Sequence, residues 1–392
     1  MNSNRSHRHG RRDFLRGALA TSALLMSARP EILAAALQSQ RRFAAVKVAR
    51  DRVIREVVGL RPFRPSGFVV AAERVGRKLL VHNYGHGGAG VTLSWGTASL
   101  AVDFVRDFLA TQPLRRQARL APAARRFAVI GCGVSGLSVA RLLQQRYQDG
   151  PGTVTIYAKD LPPNTTSNIA GAWWSPTSVF EAPRVTTTFT DQFRLACQIS
   201  HKAFQLLVGP EYGVRWIDTF ELSRTETALQ REITGGDALY PQIRIHRDPE
   251  NYFGFPFVRE FSSMLIEPSI YLGAVLRDFY VAGGKLVVKE FRSREEIARL
   301  PETVIFNCSG LGARTLFGDE ELIPVRGQLE ILLPQPEIDY CYLSSGYMFP
   351  RRDGIILGGT WDHDDWNLSP DPEQASWILE THTEIMKGLA KQ

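Results

Sequence analysis

The apolar positions along this chain change their spacing segment by segment, and each spacing predicts an element. Phe127 to Ile130 is an unbroken apolar run that reads as a strand, and Leu137, Ala140, Leu142 and Leu143 follow at helical spacing. Residues 153–160, TVTIYAKD, read as a second strand, and VIFNCSG at 304–310 as a buried strand entering a glycine turn. Thr92 to Leu109 predicts a helix with Leu100, Phe104 and Leu109 near one face, and 376–392 a further helix. The aromatics of YFGFPFVREFSSMLIEP, 252–268, suit either core or pocket lining. Between these elements, Ala110 to Arg126 is rich in Pro, Ala, Gln and Arg and reads as a linker.

Charge changes the picture at one end only. Of a formal net charge of +7 over 392 residues, residues 1–55 hold twelve Lys/Arg against three Asp/Glu, leaving 35 basic and 37 acidic residues beyond. The body is nearly neutral, which argues against a nucleic-acid partner. The basic head pairs Arg11 and Arg12 with Phe14 and Leu15 ahead of a mildly apolar run, Gly17 to Ala28. That run is shorter than the roughly 20 residues a bilayer span requires. It reads as a twin-arginine (Tat) export signal within residues 1–40, with Gly10 where Ser or Thr is common. The expectation is therefore folding in the cytoplasm, an encounter with the Tat translocase, and export to the periplasm or beyond. Cys132, Cys197, Cys308 and Cys341 have no metal-ligand spacing; Cys132 and Cys308 read as small buried residues.

The candidate chemistry starts at VIGCGVSGLSVARLL, 129–143. Gly131, Gly133 and Gly136 form a G-x-G-x-x-G turn between strand and helix, the arrangement that sets a pyrophosphate on a positive helix end. Cys132 and Ser135 lie within it, and the following strand ends in Lys159 and Asp160, where a ribose-binding acid is expected. The motif by itself leaves FAD and NAD open. Hydroxyl and amide residues at 164–168, among them Thr165, Thr166 and Ser167, are suited to phosphate or ribose oxygens, and Ala172 and Trp173 follow. A second glycine loop, VHNYGHGGAGVTLSWG, 81–96, precedes the fingerprint, with His82 and His86 read as ordinary loop hydrogen-bonding residues.

Together GCGVSGLS, TTSNIAGAWWSP, NCSGLGA (with Ser309), LGGTWDHDDWNLSPDPE and HNYGHGGAGVT resemble the D-amino-acid oxidase and D-aspartate oxidase family. The resemblance implies an α/β fold, an FAD-binding Rossmann-type domain joined to a mixed-sheet substrate domain. Family chains end with an Arg-Pro segment, a hairpin and this glycine loop, whereas here the block runs from Gly59 to Leu109, ahead of the fingerprint. The chain is therefore identified as a circular permutant, which predicts Gln392 near Lys47. The implied domains are 59–183 with 262–318 for FAD, interrupted by the linker 110–126, and 184–261 with 319–375 for substrate. The 376–392 helix would lead to the permuted terminus.

For the site, the resemblance implies that Gly87, Gly88, Gly90, Val91 and Thr92 face the flavin ring. Arg61 of LRPFRP would hold a substrate carboxylate and Tyr347 would complete that grip, while Arg64 reads as structural. The family's second tyrosine falls on Leu343, beside Tyr342; Ser175 and Ala89 also depart from the pattern and are expected to reshape the pocket. The implied reaction is hydride transfer from the Cα of a (D-)amino acid to FAD, with O2 as acceptor and H2O2 as product. A dehydrogenase using another carrier and a non-catalytic flavin-binding protein are the alternatives.

Overall fold

The structure, a computed structural model, describes residues 43–111, 126–147, 153–230, 232–248 and 253–390. The expected export signal, most of the linker and Gln392 lie outside them. From Ala45 onward the chain forms one compact unit.

Its first elements are β1 (Val53–Phe63), β2 (Val69–Val75), β3 (Lys78–Tyr84), α1 (Gly90–Ala110), β4 (Phe127–Ile130), α2 (Val134–Tyr147) and β5 (Val154–Ala158). There follow α3 (Thr166–Ile169), α4 (Thr187–Leu206), β6 (Val214–Ser223), β7 (Arg244–Arg247), β8 (Phe257–Ile266), α5 (Pro268–Val281) and β9 (Lys285–Val288). The remainder is α6 (Arg294–Ala298), β10 (Val304–Asn307), α7 (Gly312–Phe317), β11 (Ile323–Leu332), β12 (Tyr340–Leu343), β13 (Tyr347–Arg351), β14 (Gly354–Gly358), β15 (Asp362–His363) and α8 (Pro372–Ala390).

Two sheets organise these elements. The six-stranded sheet runs β2-β3-β10-β4-β5-β9, parallel from β3 to β9 with β2 antiparallel at the edge. Its central strands β4 and β10 are buried at every residue, as apolar runs covered on both faces must be. The nine-stranded sheet runs β1-β11-β14-β13-β12-β6-β8-β7, with β15 also on β11, and is mostly antiparallel. The largest core lies between the six-stranded sheet and helices α1, α2, α4 and α5.

Tertiary packing moved several expectations. The expected helix Thr92–Leu109 begins two residues earlier, inside the glycine loop. Its deepest face carries Ala98, Val102, Val105 and Phe108, while Leu100, Phe104 and Leu109 are partly buried. Burial by α2, α4 and β3 together gives α1 a wide apolar face, which a narrow-stripe reading places wrongly. The expected domain boundaries are also crossed. Arg61's strand β1 pairs with β11 from Val53 to Phe63, so residues 59–63 belong to the larger sheet and not to the nucleotide side. Helix α4, numbered within the expected substrate domain, packs on α1 through Phe189, Phe193, Ala196 and Phe204. The C-terminal helix starts at Pro372, four residues before its expected start.

Candidate active site

A continuous cavity of about 1130 Å³ opens between the two sheets, lined by the fingerprint turn, the 81–96 loop and the floor of the larger sheet. That is just above the usual range for small-molecule pockets, room for an extended cofactor and a small substrate.

At one end, Gly131 turns the chain out of β4 at φ 105°, and a Cβ there would stand 2.4 Å from the Cys308 carbonyl oxygen. Gly136 sits behind the turn: a Cβ would meet the Gly131 carbonyl oxygen at 2.1 Å, and the residue does not line the cavity. This is the close helix–strand packing that the third glycine of the fingerprint permits. Gly133, Cys132 and Ser135 do line the cavity, at the first turn of the 14-residue α2. Burial pushes the Cys132 thiol up to about 12, so it stays protonated. The Val134 amide donates to Ser167 Oγ at 3.0 Å, which fixes Ser167 against the helix end. Thr165, Thr166, Lys159 and Asp160 also line this region, with Lys159 Nζ 3.9 Å from Asp160 and 3.8 Å from Glu290. Ser309 donates from Oγ to Asn307 Oδ1 at 2.6 Å, tying β10's exit to the rim.

The early glycine loop forms a second helix start facing the same space. A Cβ on Gly87 would be 2.2 Å from the Ser178 carbonyl oxygen, to which the Gly88 amide donates at 3.0 Å. Gly87, Gly88, Gly90, Val91 and Thr92 all line the cavity. Thr92 Oγ1 donates to the Ser175 carbonyl oxygen at 3.1 Å, so its side chain holds the wall beside it. Ala172 and Trp173 form part of that wall, with Trp173 Nε1 donating to Thr219 Oγ1 at 3.1 Å. His82 contacts Glu73 and Asn307, each at 3.1 Å, and His86 contacts Asn83 Oδ1 at 3.1 Å while stacking on Phe68. Burial lowers both histidines, His86 to about 4, so His86 is neutral at ordinary pH.

The other end is a floor of four strands, β1-β11-β14-β13. Arg61 reaches from β1 across Gly327 of β11, with Nη1 3.2 Å from the Thr360 carbonyl oxygen and 3.4 Å from that of Arg326. The guanidinium also lies over Trp361, 5.0 Å from the ring centroid. Arg61 has no carboxylate partner among the described residues. Arg64, by contrast, is paired with Asp319 at 3.0 Å and Glu321 at 2.7 Å, the structural position expected of it. Tyr347 approaches from the opposite side, stacked on Phe349 and lying over Gly358, where a Cβ would collide with its ring. Leu343 lines the cavity, whereas Tyr342 faces the opposite way, its hydroxyl 2.6 Å from His382 Nδ1. Tyr342 therefore cannot replace the missing tyrosine. Ser175 lines the cavity; Ala89 is fully buried outside it and does not shape the wall directly.

This geometry coincides with sequence likeness along most of the chain. The family model "FAD dependent oxidoreductase" matches residues 14–104 and 126–392. The chain belongs to this family. A D-amino acid oxidase from Dugesia ryukyuensis is 31% identical over 275 residues, covering 67% of this chain and 78% of that protein. A D-aspartate oxidase from Homo sapiens is 30% identical over 260 residues, covering 65% and 74%. Glycine oxidase from Bacillus cereus shares the fold at a TM-score of 0.51 and 15% identity, over 68% of this chain and 79% of that one. The fold is thus the D-amino-acid-oxidase-like FAD-binding fold of that family.

Several lining residues of this FAD dependent oxidoreductase escaped the sequence reading. Lys289, Glu290 and Arg292 follow β9 beside Lys159, and Trp361, Trp366 and Leu368 border the floor near Arg61. The charged cluster after β9 carries no motif. The tryptophans stand in LGGTWDHDDWNLSPDPE, but only the packing of this loop reveals which of its side chains reach the cavity.

Proposed function

We propose that this chain binds FAD across the cavity and oxidises the C–N bond of an amino acid, with O2 as the terminal acceptor. The observation that carries the reading is Arg61: a partly buried guanidinium on the cavity wall that has no carboxylate partner among the described residues. Such a group is stabilised by an anion that accepts its fork of N–H donors, and a carboxylate is the matching partner.

The residues present fit FAD. The starts of α2 and α1 both face the cavity, one suited to a diphosphate and the other to a ring edge that gains negative charge on reduction. Gly133 and Gly310 leave backbone bare along the lining; a side chain at Gly310 would find no atom within 4 Å and would enter the ligand's space. When bound, FAD supplies the hydride acceptor. Arg61 fixes the carboxylate, Tyr347 adds a hydroxyl from the opposite side of the Gly327–Gly358 floor, and Trp173 and Phe349 wall off water. Positioning of this kind removes much of the entropic barrier without a general base. The imino acid released hydrolyses to keto acid and ammonia, and two electrons pass to O2 to give H2O2.

The chain order is read as a circular permutation. Its support is the Val46 amide, 3.3 Å from Met386 Sδ, which brings the segment before β1 against the last helix. The twin-arginine head is read as a Tat export signal.

The purified protein should be yellow, and anaerobic addition of a D-amino acid should bleach its visible flavin band. Air should then restore the band with one peroxide per turnover. A flavin bleached by substrate but not reoxidised by air would assign electrons to another carrier, and a flavin that no amino acid bleaches would remove the reading.

A further inference from the structure

We infer that Arg326, which does not touch the cavity, is the positioning residue that fixes the wall receiving the substrate's side chain. The inference rests on the reading of Arg61 as the carboxylate anchor.

Arg326 leaves β11 on the face away from Arg61, and its side chain is 2% exposed. Its Nε donates to the Asn367 carbonyl oxygen at 3.0 Å and its Nη2 to that of Ser369 at 2.8 Å. These two carbonyls flank Leu368. Nη1 donates to Asp362 Oδ2 at 3.3 Å and to Gln374 of α8, and Asp365 stands 3.7 Å from Nε. The guanidinium thus grips the 360–371 segment at its start, its middle and the helix beyond it. Gln328, two residues on along β11, extends the grip: its amide donates to Thr360 Oγ1 at 3.0 Å and its side chain exchanges hydrogen bonds with the Asp371 backbone.

The gripped segment carries apolar side chains that its own packing does not bury. Trp361, Trp366 and Leu368 line the cavity yet are 38%, 52% and 60% exposed. Between Asp365 and Ser369 the segment is held locally by short turns from the Asp365 and Asn367 side chains. A buried guanidinium that satisfies five separate acceptors, Gln328 Oε1 at 3.1 Å among them, is an expensive anchor to replace, because removing it takes a partner from each acceptor and frees the segment. The same residue's carbonyl accepts from Arg61 at 3.4 Å. Arg326 therefore sets the distance between the carboxylate anchor and the apolar wall. Amino acids with large apolar side chains depend on that distance, and small ones do not.

The test uses the flavin-loaded full chain, with D-alanine and D-phenylalanine as probes. Arg326→Lys keeps the charge but cannot bridge both carbonyls. It should raise KM for D-phenylalanine about tenfold and leave KM for D-alanine within about twofold, with kcat for D-alanine retained. Trp366→Ala and Leu368→Ala should raise KM for D-phenylalanine more than for D-alanine. If Arg326→Lys does not fold, Gln374→Met removes one partner without burying a charge and should shift D-phenylalanine alone, by about threefold. Equal changes for both substrates, or none, would overturn the inference while leaving the Arg61 reading intact. Arg61→Met that spares both substrates would instead sink the Arg61 reading, and wild-type protein turning over neither would sink both.

Discussion

Arg61 and Gly327 are in contact across neighbouring strands: a Cβ on Gly327 would lie 2.2 Å from Arg61 Nη1 and 2.5 Å from Nη2. Residues 59 and 327 are paired in the antiparallel register of β1 and β11, so the Arg61 side chain runs back over its neighbour strand. The missing side chain at 327 is what lets a guanidinium lie flat on a sheet and present its edge to the cavity. Gly358 does the same for Tyr347 two strands away.

Gly327→Ala is expected to push the guanidinium off the floor while keeping β11 paired. The KM for amino acids should rise by about tenfold or more with a smaller effect on kcat, read by steady-state kinetics. An unchanged KM would mean that Arg61 does not need this position.

Arg61→Met should lower kcat/KM for carboxylate substrates by roughly a thousandfold or more, since a charge-assisted bidentate contact orients the reacting carbon. The bound-flavin spectrum should be unchanged, because the cavity's two helix starts are untouched.

Arg64→Ala should produce the opposite separation. It takes the guanidinium from Asp319 and Glu321, both partly buried and left with Tyr84, Ser66 and Arg184 as partners, and is expected to cost about 1–3 kcal/mol of stability. Chemical denaturation should reveal that loss, while KM per folded molecule stays within about twofold.

Stability should fall as the solution is acidified. Burial lowers His86 and His382 to about 4 from an ordinary value of 6.5, so unfolding takes up protons at both. A depressed folded-state value contributes stability above 6.5 that is lost as pH falls towards 4, on the order of 3 kcal/mol per group. The melting temperature should drop through that window, and His382→Gln should flatten the drop. A melting temperature level across it would contradict buried neutral histidines.

The permutation makes its own prediction. Joining the α8 end to residue 45 through a short linker, and opening the chain within 112–125, should leave the melting temperature within a few degrees, because the segment before β1 lies against α8 and the sequence at 112–125 reads as a linker. Circular dichroism and flavin retention check it; a chain that no longer retains flavin would count against the proximity of Val46 and Met386.

The sequence by itself determined the local devices. The β4 strand, its turn and α2 stand where the apolar run and the glycines put them, because strand, turn and cap are decided by neighbours a few residues apart. The glycine loop at 85–90 was legible for the same reason, whereas different roles for Arg61 and Arg64 were expected from the family pattern alone, since the partners that distinguish them lie at least 255 residues away. Tertiary structure alone decided which way side chains face. Tyr342 and Leu343 are adjacent, but a strand alternates faces, so one meets His382 and the other the cavity. The sheet that β1 joins, the broad buried face of α1, and the burial of Arg326 behind the 360–371 segment depend on contacts from dozens to hundreds of residues apart. No local periodicity encodes those contacts, since their energy is realised only when both partners are already in place.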